Sequence, residues 1–200
     1  MNHSAIWAGG LAALALVTGG IYMRRRNEMV RKNEQVRETW SAVDVQLQRR
    51  ADLIPNLVAM VKSYARHEEA AFESVASARA TLLSARTPAG RMAANAQLDA
   101  MLGRVLAISE SYPQLKSSGP FLDLQAQLEG TENRIAITRL RYNSSLQDYN
   151  AYIRLFPNNL VARASGFQRN NAYFGAAPSA PRAPYVNGQS PAAQAAAPTR

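Results

Sequence analysis

Residues 121–156 read FLDLQAQLEGTENRIAITRLRYNSSLQDYNAYIRLF, and this stretch decides the fold class of the chain. Apolar and aromatic side chains recur in it every seven residues, at Leu128, Ile135, Tyr142, Tyr149 and Phe156. A seven-residue period is typical of a helix that packs along its length against other helices. We therefore expect one long helix here, because the apolar seam continues through the whole stretch.

A first soluble helix is predicted upstream of this stretch, from residue 36 onward. Val36, Trp40, Val43 and Leu47 follow a 4-3-4 spacing, which places them on one face of an α-helix. The helix is expected to continue directly from the segment that precedes it.

A tight join is predicted at residues 50–55, between the first and second soluble helices. Asp52 can cap a helix N-terminus, and Pro55 is tolerated in a first helical turn. The second helix would then fold back antiparallel to the first. Thr87 and Pro88 open a third helix in the same way, and Pro113 ends it.

No β-type alternation of convincing length occurs, so we expect an all-α protein. Four helices joined by short turns favour an antiparallel four-helix-bundle-like domain at residues 36–175. The first and last helices are the long ones and would project beyond the middle pair. Residues 176–200 are rich in proline and alanine and are predicted to be disordered.

The N-terminal stretch predicts a transmembrane anchor at residues 5–23, preceded by a short tail at residues 1–4. This stretch reads AIWAGGLAALALVTGGIYM and carries no charged side chain. A helix of that length just covers a hydrocarbon core of about 30 Å. A cleavable signal peptide would need positive charge before the apolar stretch, and no Lys or Arg precedes it here.

A basic helical segment follows the anchor at residues 24–35. Its positive residues, with only Glu28 opposing them nearby, are Arg24, Arg25, Arg26, Arg31 and Lys32. Basic residues beside a span tend to stay cytoplasmic, so the N-terminus should face out and the C-terminal domain should be cytoplasmic. The opposite orientation remains an alternative. We expect the five basic side chains to contact anionic lipid at the membrane surface.

Composition excludes several classes of function. The chain has no cysteine, so it has neither a disulfide framework nor a thiolate metal site. Its net charge of +9 could indicate nucleic acid, but acidic and basic residues are interspersed along the helical stretches. Anionic lipid beside the basic segment accounts for the excess positive charge more simply, and we expect no nucleic-acid partner.

No catalytic, cofactor-binding or metal-binding residues are predicted. The pair His67-Glu68 lacks the second histidine that a zinc-protease motif needs one turn later, because residue 71 is alanine. No nucleophile elbow of the GxSxG type and no glycine-rich phosphate loop occurs. The sequence therefore predicts a protein that is not an enzyme and has no cofactor.

Charged residues on the predicted helix seams form the remaining candidate site, a structural polar seam. Its members are Arg50, Glu68, Arg79, Glu132 and Arg139. On the favoured interpretation they form ion pairs that fix helix register, because an unpaired charge at a seam would cost several kcal/mol. Two alternatives stay open. They could line a cleft for an anionic ligand or partner segment, or form the charged pocket of an unrecognised hydrolase.

Several motifs resemble the LemA family of bacterial membrane proteins. They run in the family's order from about residue 29 to residue 174. The clearest are WSAVDVQLQRR at residues 40–50, DLIPNLV at 52–58, VKSYARHE at 61–68 and TENRIA at 131–136. The later ones are Tyr142-Asn143, Tyr149-Asn150, Phe156-Pro157 and Gly166-Phe167.

The resemblance implies a short N-terminal anchor on a helical bundle in the bacterial inner membrane, and no established enzymatic activity. Neighbouring genes in the family often encode membrane peptidases, which suggests envelope maintenance by association. We expect a membrane-anchored scaffold or adaptor for protein partners. A membrane peptidase and further copies of the chain are the candidate partners. The alternative is a membrane-surface protein that binds anionic lipid.

Overall fold

The computed structural model describes the backbone of residues 3–175 and the side chains of Trp7 and of residues 9–175. This part of the chain is helical and contains no strand, so the predicted all-α class is confirmed. The predicted disordered tail at residues 176–200 lies outside the described residues. The helices are α1 His3–Tyr64, α2 Glu69–Ser84, α3 Pro88–Glu110, α4 Pro113–Lys116, α5 Gly119–Arg154 and α6 Asn158–Ala164.

Helix α1 runs unbroken through residues 50–55, so the predicted join there is wrong. Pro55 lies in the helix interior, where it cannot donate a hydrogen bond to the carbonyl of Ala51. Apolar burial holds the helix across this point, because Ile54 and Leu57 are buried on either side of the exposed proline. The chain reverses direction about three turns later, in the short connection at residues 65–68.

The end of α1 distant from the N-terminus is surrounded by α2, α3 and α5. Arg79 of α2 and Arg91 of α3 both contact α1, and Arg50 of α1 contacts both α3 and α5. Four helices therefore pack together in this region, as in a bundle. Helix α1 is antiparallel to α2 and α5 and runs in the same direction as α3.

The N-terminal side of the bundle is a narrower stem, made by residues 24–43 of α1 and residues 139–154 of α5. Thr39 and Ser145 share a hydrogen bond of 2.7 Å between their hydroxyl oxygens across this pair. Helices α1 and α5 thus project beyond α2 and α3, in agreement with the long first and last helices expected from sequence. Helix α6 and residues 167–174 pack against the stem.

The buried side chains of the stem keep the seven-residue period. Met29, Val36 and Val43 of α1 are buried at this spacing, and α5 buries Tyr142 and Tyr149. Each large apolar side chain removed from water contributes about 1.5–3 kcal/mol. Phe156 breaks the pattern with 80% of its surface exposed, because α5 ends at Arg154 and the helical register stops before it.

None of the helices, as far as their side chains are described, has a stretch long and apolar enough to cross a membrane. The span predicted at residues 5–23 includes residues 5, 6 and 8, whose side chains lie outside the described part. It stays a prediction.

Candidate functional site

Arg50 joins three helices at the centre of the bundle. Its Nη1 atom lies 2.5 Å from Oδ1 of Asp99 on α3 and 2.7 Å from Oε2 of Glu132 on α5. The arginine side chain is 11% exposed, whereas both carboxylates keep a solvent-accessible side. Both contacts are ion pairs by distance and lack the alignment of a hydrogen bond. One guanidinium therefore balances two carboxylates, and Arg50 and Glu132 of the predicted seam lie together.

Asp99 is the titratable group that this arrangement perturbs most clearly. Burial raises its pKa above the usual value of 3.8, and the nearby Glu132 carboxylate raises it further, while Arg50 opposes both effects. The buried Asn95 donates a hydrogen bond of 3.0 Å from Nδ2 to Oδ2 of Asp99 and so fixes its orientation. The cluster thus carries one carboxylate more than its central arginine can neutralise, and Arg139 lowers the pKa of Asp99 from further away.

A second ion pair lies where the start of α3 meets α1. Nη1 of Arg91 lies 2.6 Å from Oδ1 of Asp44, and Nε of Arg91 donates to the carbonyl of Ala85 at 3.2 Å. The Arg91 side chain is largely buried. This contact holds the beginning of α3 against α1 on the N-terminal side of the Arg50 cluster.

Two members of the predicted seam lie away from that cluster. Arg79 packs across α1, where Nε donates to the carbonyl of Ala51 at 2.7 Å and Nη2 lies 3.9 Å from Oδ1 of Asp52. Glu68 is exposed in the turn before α2. The five seam residues therefore do not form one site, and a charged pocket joining Glu68 to Glu132 is not formed.

Residues 167–174 form a C-terminal strap that two asparagines of α5 bind by its backbone. Asn143 donates from Nδ2 to the carbonyl of Phe174 at 2.9 Å and accepts from the Phe174 N–H at 2.9 Å. Asn150 does the same to Asn170, at 2.6 and 3.0 Å. The two asparagines are seven residues apart, so they lie on one face of α5. Their side-chain amides thus supply hydrogen-bond partners for the N–H and C=O groups of Phe174 and Asn170, which lie outside any helix.

An aromatic cluster fixes the end of the strap against the stem. The Phe174 ring lies 6.0 Å from the ring of Trp40 and 5.8 Å from that of Tyr142, centroid to centroid. Arg139, the last member of the predicted seam, lies over Phe174 with 5.0 Å between the guanidinium carbon and the ring centroid. Burial raises the pKa of Tyr142, as does the neighbouring Tyr173. Arg139 therefore contacts an aromatic ring rather than a carboxylate.

The basic segment of α1 lies beside the C-terminal end of α5. Arg24, Arg26 and Arg31 are exposed, and Arg25 and Lys32 are half-buried. Arg31 forms an ion pair with Glu28, and Nζ of Lys32 lies 5.5 Å from the Tyr152 ring centroid. An open cavity of about 460 Å³ lies here, lined by Ile21, Arg24, Arg25, Glu28 and Tyr152. The five predicted membrane-surface residues are thus gathered at one end of the stem.

The chemistry available in the described part of the chain is that of packing and charge pairing. No group of three or more potential metal ligands gathers there, and His67 is exposed in the turn before α2. The hydroxyls of Thr39, Ser145 and Thr131 bond to one another or to helix carbonyls.

Sequence reasoning missed the partners of Arg50 and the role of the two asparagines. Asp99 and Asn95 lie on α3, where their spacing of four residues marks one helical face. For Asn143 and Asn150 the signal was the repeated Tyr-Asn pair seven residues apart. The seven-residue spacing predicts seam positions for its tyrosines and no role for its asparagines.

Comparison with known proteins agrees with the resemblance found in the sequence. The LemA family matches residues 39–187, about three quarters of the chain. Protein LemA of Metamycoplasma hominis is 23% identical over 144 residues, which cover 72% of this chain and 66% of the relative.

Proteins named for the magnetosome also resemble this chain. Magnetosome protein MamQ 1 of Paramagnetospirillum magneticum is 27% identical over 193 residues, covering 84% of this chain and 70% of the relative. Magnetosome protein MamQ of Magnetospirillum gryphiswaldense is 27% identical over 185 residues, covering 80% and 67%.

Proposed function

The chain belongs to the LemA family, and we propose that it is a membrane-anchored helical scaffold whose bundle is presented to protein partners beside the inner membrane. The continuity of α1 is the observation that carries this proposal. The same helix contains the apolar N-terminal stretch and, from Met29 onward, the core of the stem and bundle. An anchor built this way would hold the bundle at a defined distance from the bilayer.

The exposed apolar surface of the N-terminal part of α1 supports the proposal that this part lies in lipid. Its large apolar side chains in the described part are mostly exposed: Trp7, Leu11, Leu14, Leu16, Val17, Ile21 and Met23. Every residue from 9 to 21 is exposed, and no charged residue interrupts this stretch before Arg24. A helix that is apolar on every face needs an apolar surrounding, and lipid supplies one.

The orientation follows from the basic residues after this stretch. Arg24, Arg25 and Arg26 stand directly behind Met23, and no Lys or Arg precedes it. The proposal therefore has the N-terminus outside and the bundle in the cytoplasm. Relatives named as magnetosome proteins support a role at a bacterial membrane.

The scaffold would act by tethering. Confining the bundle near a bilayer raises its effective concentration toward other membrane proteins, so weak contacts suffice. Ile137 and Leu140 are exposed three residues apart on α5 and supply an apolar surface for such contacts. Partners consistent with the family would be other membrane proteins, such as a membrane peptidase, or further copies of this chain.

Binding of anionic lipid is the second candidate function. It is favoured by the exposed guanidinium groups of Arg24 and Arg26 at the end of the stem. Each basic side chain near an anionic surface contributes about 1 kcal/mol. This function adds to the anchor and does not replace it.

Extraction of membranes with alkaline carbonate tests the anchor. The full chain should stay in the membrane pellet, and a variant with Leu14→Arg and Val17→Arg should move to the supernatant, because two buried charges disfavour insertion. The matched control is Leu122→Arg, an exposed apolar position on α5, which should stay in the pellet. Release of the unaltered chain by carbonate would contradict the proposal.

A further inference from the structure

The antiparallel pairing of α1 and α5 brings the end of α5 back to the start of the stem. Thr39 pairs with Ser145, and seven residues further along both helices Lys32 meets Tyr152. The corner between α5 and α6 therefore lies beside the basic segment. Helix α6 continues toward the N-terminal end of α1, where Ser165 shares a hydrogen bond of 2.8 Å with the hydroxyl of Tyr22. That contact is adjacent to Met23, where the apolar stretch ends.

Large apolar side chains are exposed at this corner, which we call the base and define as residues 155–160. Leu155 is 61% exposed, Phe156 is 80% exposed and Leu160 is 57% exposed. Single exposed apolar residues are ordinary on protein surfaces, but three within six residues at one corner are a patch. Neither α1 nor α5 covers them in the structure.

Basic side chains surround the base. Arg154 and Arg163 flank it in sequence and are exposed, and the basic segment of α1 lies beside it. No acidic residue follows Asp148 in the chain. The neighbouring basic segment of α1 has two acidic residues, and each is paired with an arginine, Glu28 with Arg31 and Glu34 with Arg37. Exposed apolar side chains with basic side chains beside them fit an anionic lipid surface, because the apolar groups can enter the interface while the basic groups contact the headgroups.

We propose that the base is a second membrane contact, in which Leu155, Phe156 and Leu160 insert into the interface of an anionic bilayer beside the anchor. The hydrogen bond between Tyr22 and Ser165 sets the depth, because it ties the end of α6 to the boundary of the apolar stretch. The bundle then stands on the membrane at two points. This inference rests on the proposed anchor and adds the place where the domain touches lipid.

The absence of cysteine allows a direct test with single-cysteine variants of the full chain. Leu14→Cys, Phe156→Cys and Leu140→Cys replace exposed apolar residues in the anchor, in the base and on α5 about 20 Å further from the base. Each is labelled with an environment-sensitive fluorophore and reconstituted into vesicles that mix zwitterionic and anionic phospholipid. Nitroxide-labelled lipid then reports contact between fluorophore and bilayer.

The proposal predicts blue-shifted emission and quenching for the labels at positions 14 and 156, with quenching at 156 about threefold stronger than at 140. A label at 156 that stays in water while that at 14 is in lipid would overturn the second contact and leave the anchor intact. A label at 14 in water would overturn the anchor, whatever position 156 reports. These two failures are therefore distinguishable.

A second variant tests the contribution of the apolar tips without labelling them. Phe156→Ser with Leu160→Ser changes exposed side chains, so the fold should be retained, as checked by circular dichroism. In vesicles the unaltered chain should resist tryptic cleavage at Arg154 and Arg163, and the variant should be cleaved several-fold faster at both. Equal cleavage rates would overturn the proposal.

Discussion

Arg79 donates a hydrogen bond of 2.7 Å from Nε to the carbonyl of Ala51, the acceptor that Pro55 leaves without its helical partner. A proline inside a helix normally costs about 3 kcal/mol, partly through that lost bond. Here a side chain from the next helix supplies the missing donor. The same contact fastens α2 to α1, so the defect in α1 specifies where α2 packs.

This relationship predicts a coupling between positions 79 and 55. Arg79→Ala should lower the free energy of unfolding by about 2 kcal/mol, because it leaves the Ala51 carbonyl unsatisfied. In a Pro55→Ala background residue 55 can donate to that carbonyl itself, so the same substitution should cost about 1 kcal/mol less. Urea unfolding of the detergent-solubilised full chain measures both values.

The control for this cycle is Arg104→Ala, which removes an exposed arginine of α3. Its cost should be below about 0.5 kcal/mol in either background. Strictly additive effects of Arg79→Ala and Pro55→Ala would show that the hydrogen bond does not compensate for the proline.

Arg50→Met should destabilise the bundle by about 2 kcal/mol. The substitution keeps most of the side-chain volume but leaves Asp99 and Glu132 without the guanidinium that contacts both of them. The cost should fall below the 3–5 kcal/mol of a fully buried broken pair, because both carboxylates are partly exposed. Arg49→Met, at the exposed neighbouring position, is the control. Equal stability of the two variants in urea would contradict a structural role for the cluster.

Asp99→Asn should change stability in a pH-dependent way. The folded-state pKa of Asp99 is raised above 3.8, the value taken for the unfolded chain. At pH values between the unfolded and the folded pKa, the folded chain therefore binds more protons than the unfolded chain. Stability from this group is therefore lost as pH rises through the folded pKa. Asparagine does not ionise, so the Asp99→Asn variant does not lose this stability as pH rises.

The melting temperature of Asp99→Asn relative to the unaltered chain should accordingly be higher at pH 7 than at about pH 3.5. Asp123→Asn, an exposed position on α5, should keep the same difference at both pH values. A relative melting temperature of Asp99→Asn that falls as pH rises would mean that attraction to Arg50 outweighs burial.

Asn150→Asp should loosen the strap while sparing the helices. The aspartate keeps an acceptor for the Asn170 N–H but loses the donor to the Asn170 carbonyl, which it would then repel. Exchange of the Asn170 amide hydrogen should become about tenfold faster. Asn133→Asp, at an exposed position on the same helix, is the control. Unchanged exchange in Asn150→Asp would show that the aromatic cluster alone holds the strap.

The sequence predicts the all-α class and the long α5, because a seven-residue apolar period is a strong signal over many turns. It misplaces the reversal of α1. Pro55 is a local signal for a helix start, and the tertiary contacts that let it stay inside a helix come from Arg79, far along the chain. The residues next to Pro55 in the sequence do not indicate that Arg79 supplies the donor.

For the candidate site, the sequence likewise predicts some of the residues but not their contacts. The sequence identifies Arg50, Glu132 and Arg139 because charges interrupt the apolar seams there. It does not identify their contacts, since a contact between helices depends on the relative register of those helices. The sequence pattern places Glu68 on a seam because it predicts one continuous helix across residues 65–68, where the structure has a turn.

A depth profile of α1 in a bilayer would show whether its N-terminal stretch lies in lipid. Single-cysteine variants across residues 9–30 of the full chain would carry a spin label, with relaxation by oxygen and by a water-soluble reagent compared at each position. For an anchored α1 we expect oxygen accessibility to peak near Leu14 and accessibility to the water-soluble reagent to rise steeply from Arg24 onward. Uniform access of the water-soluble reagent from residue 9 to residue 30 would contradict the proposed anchor.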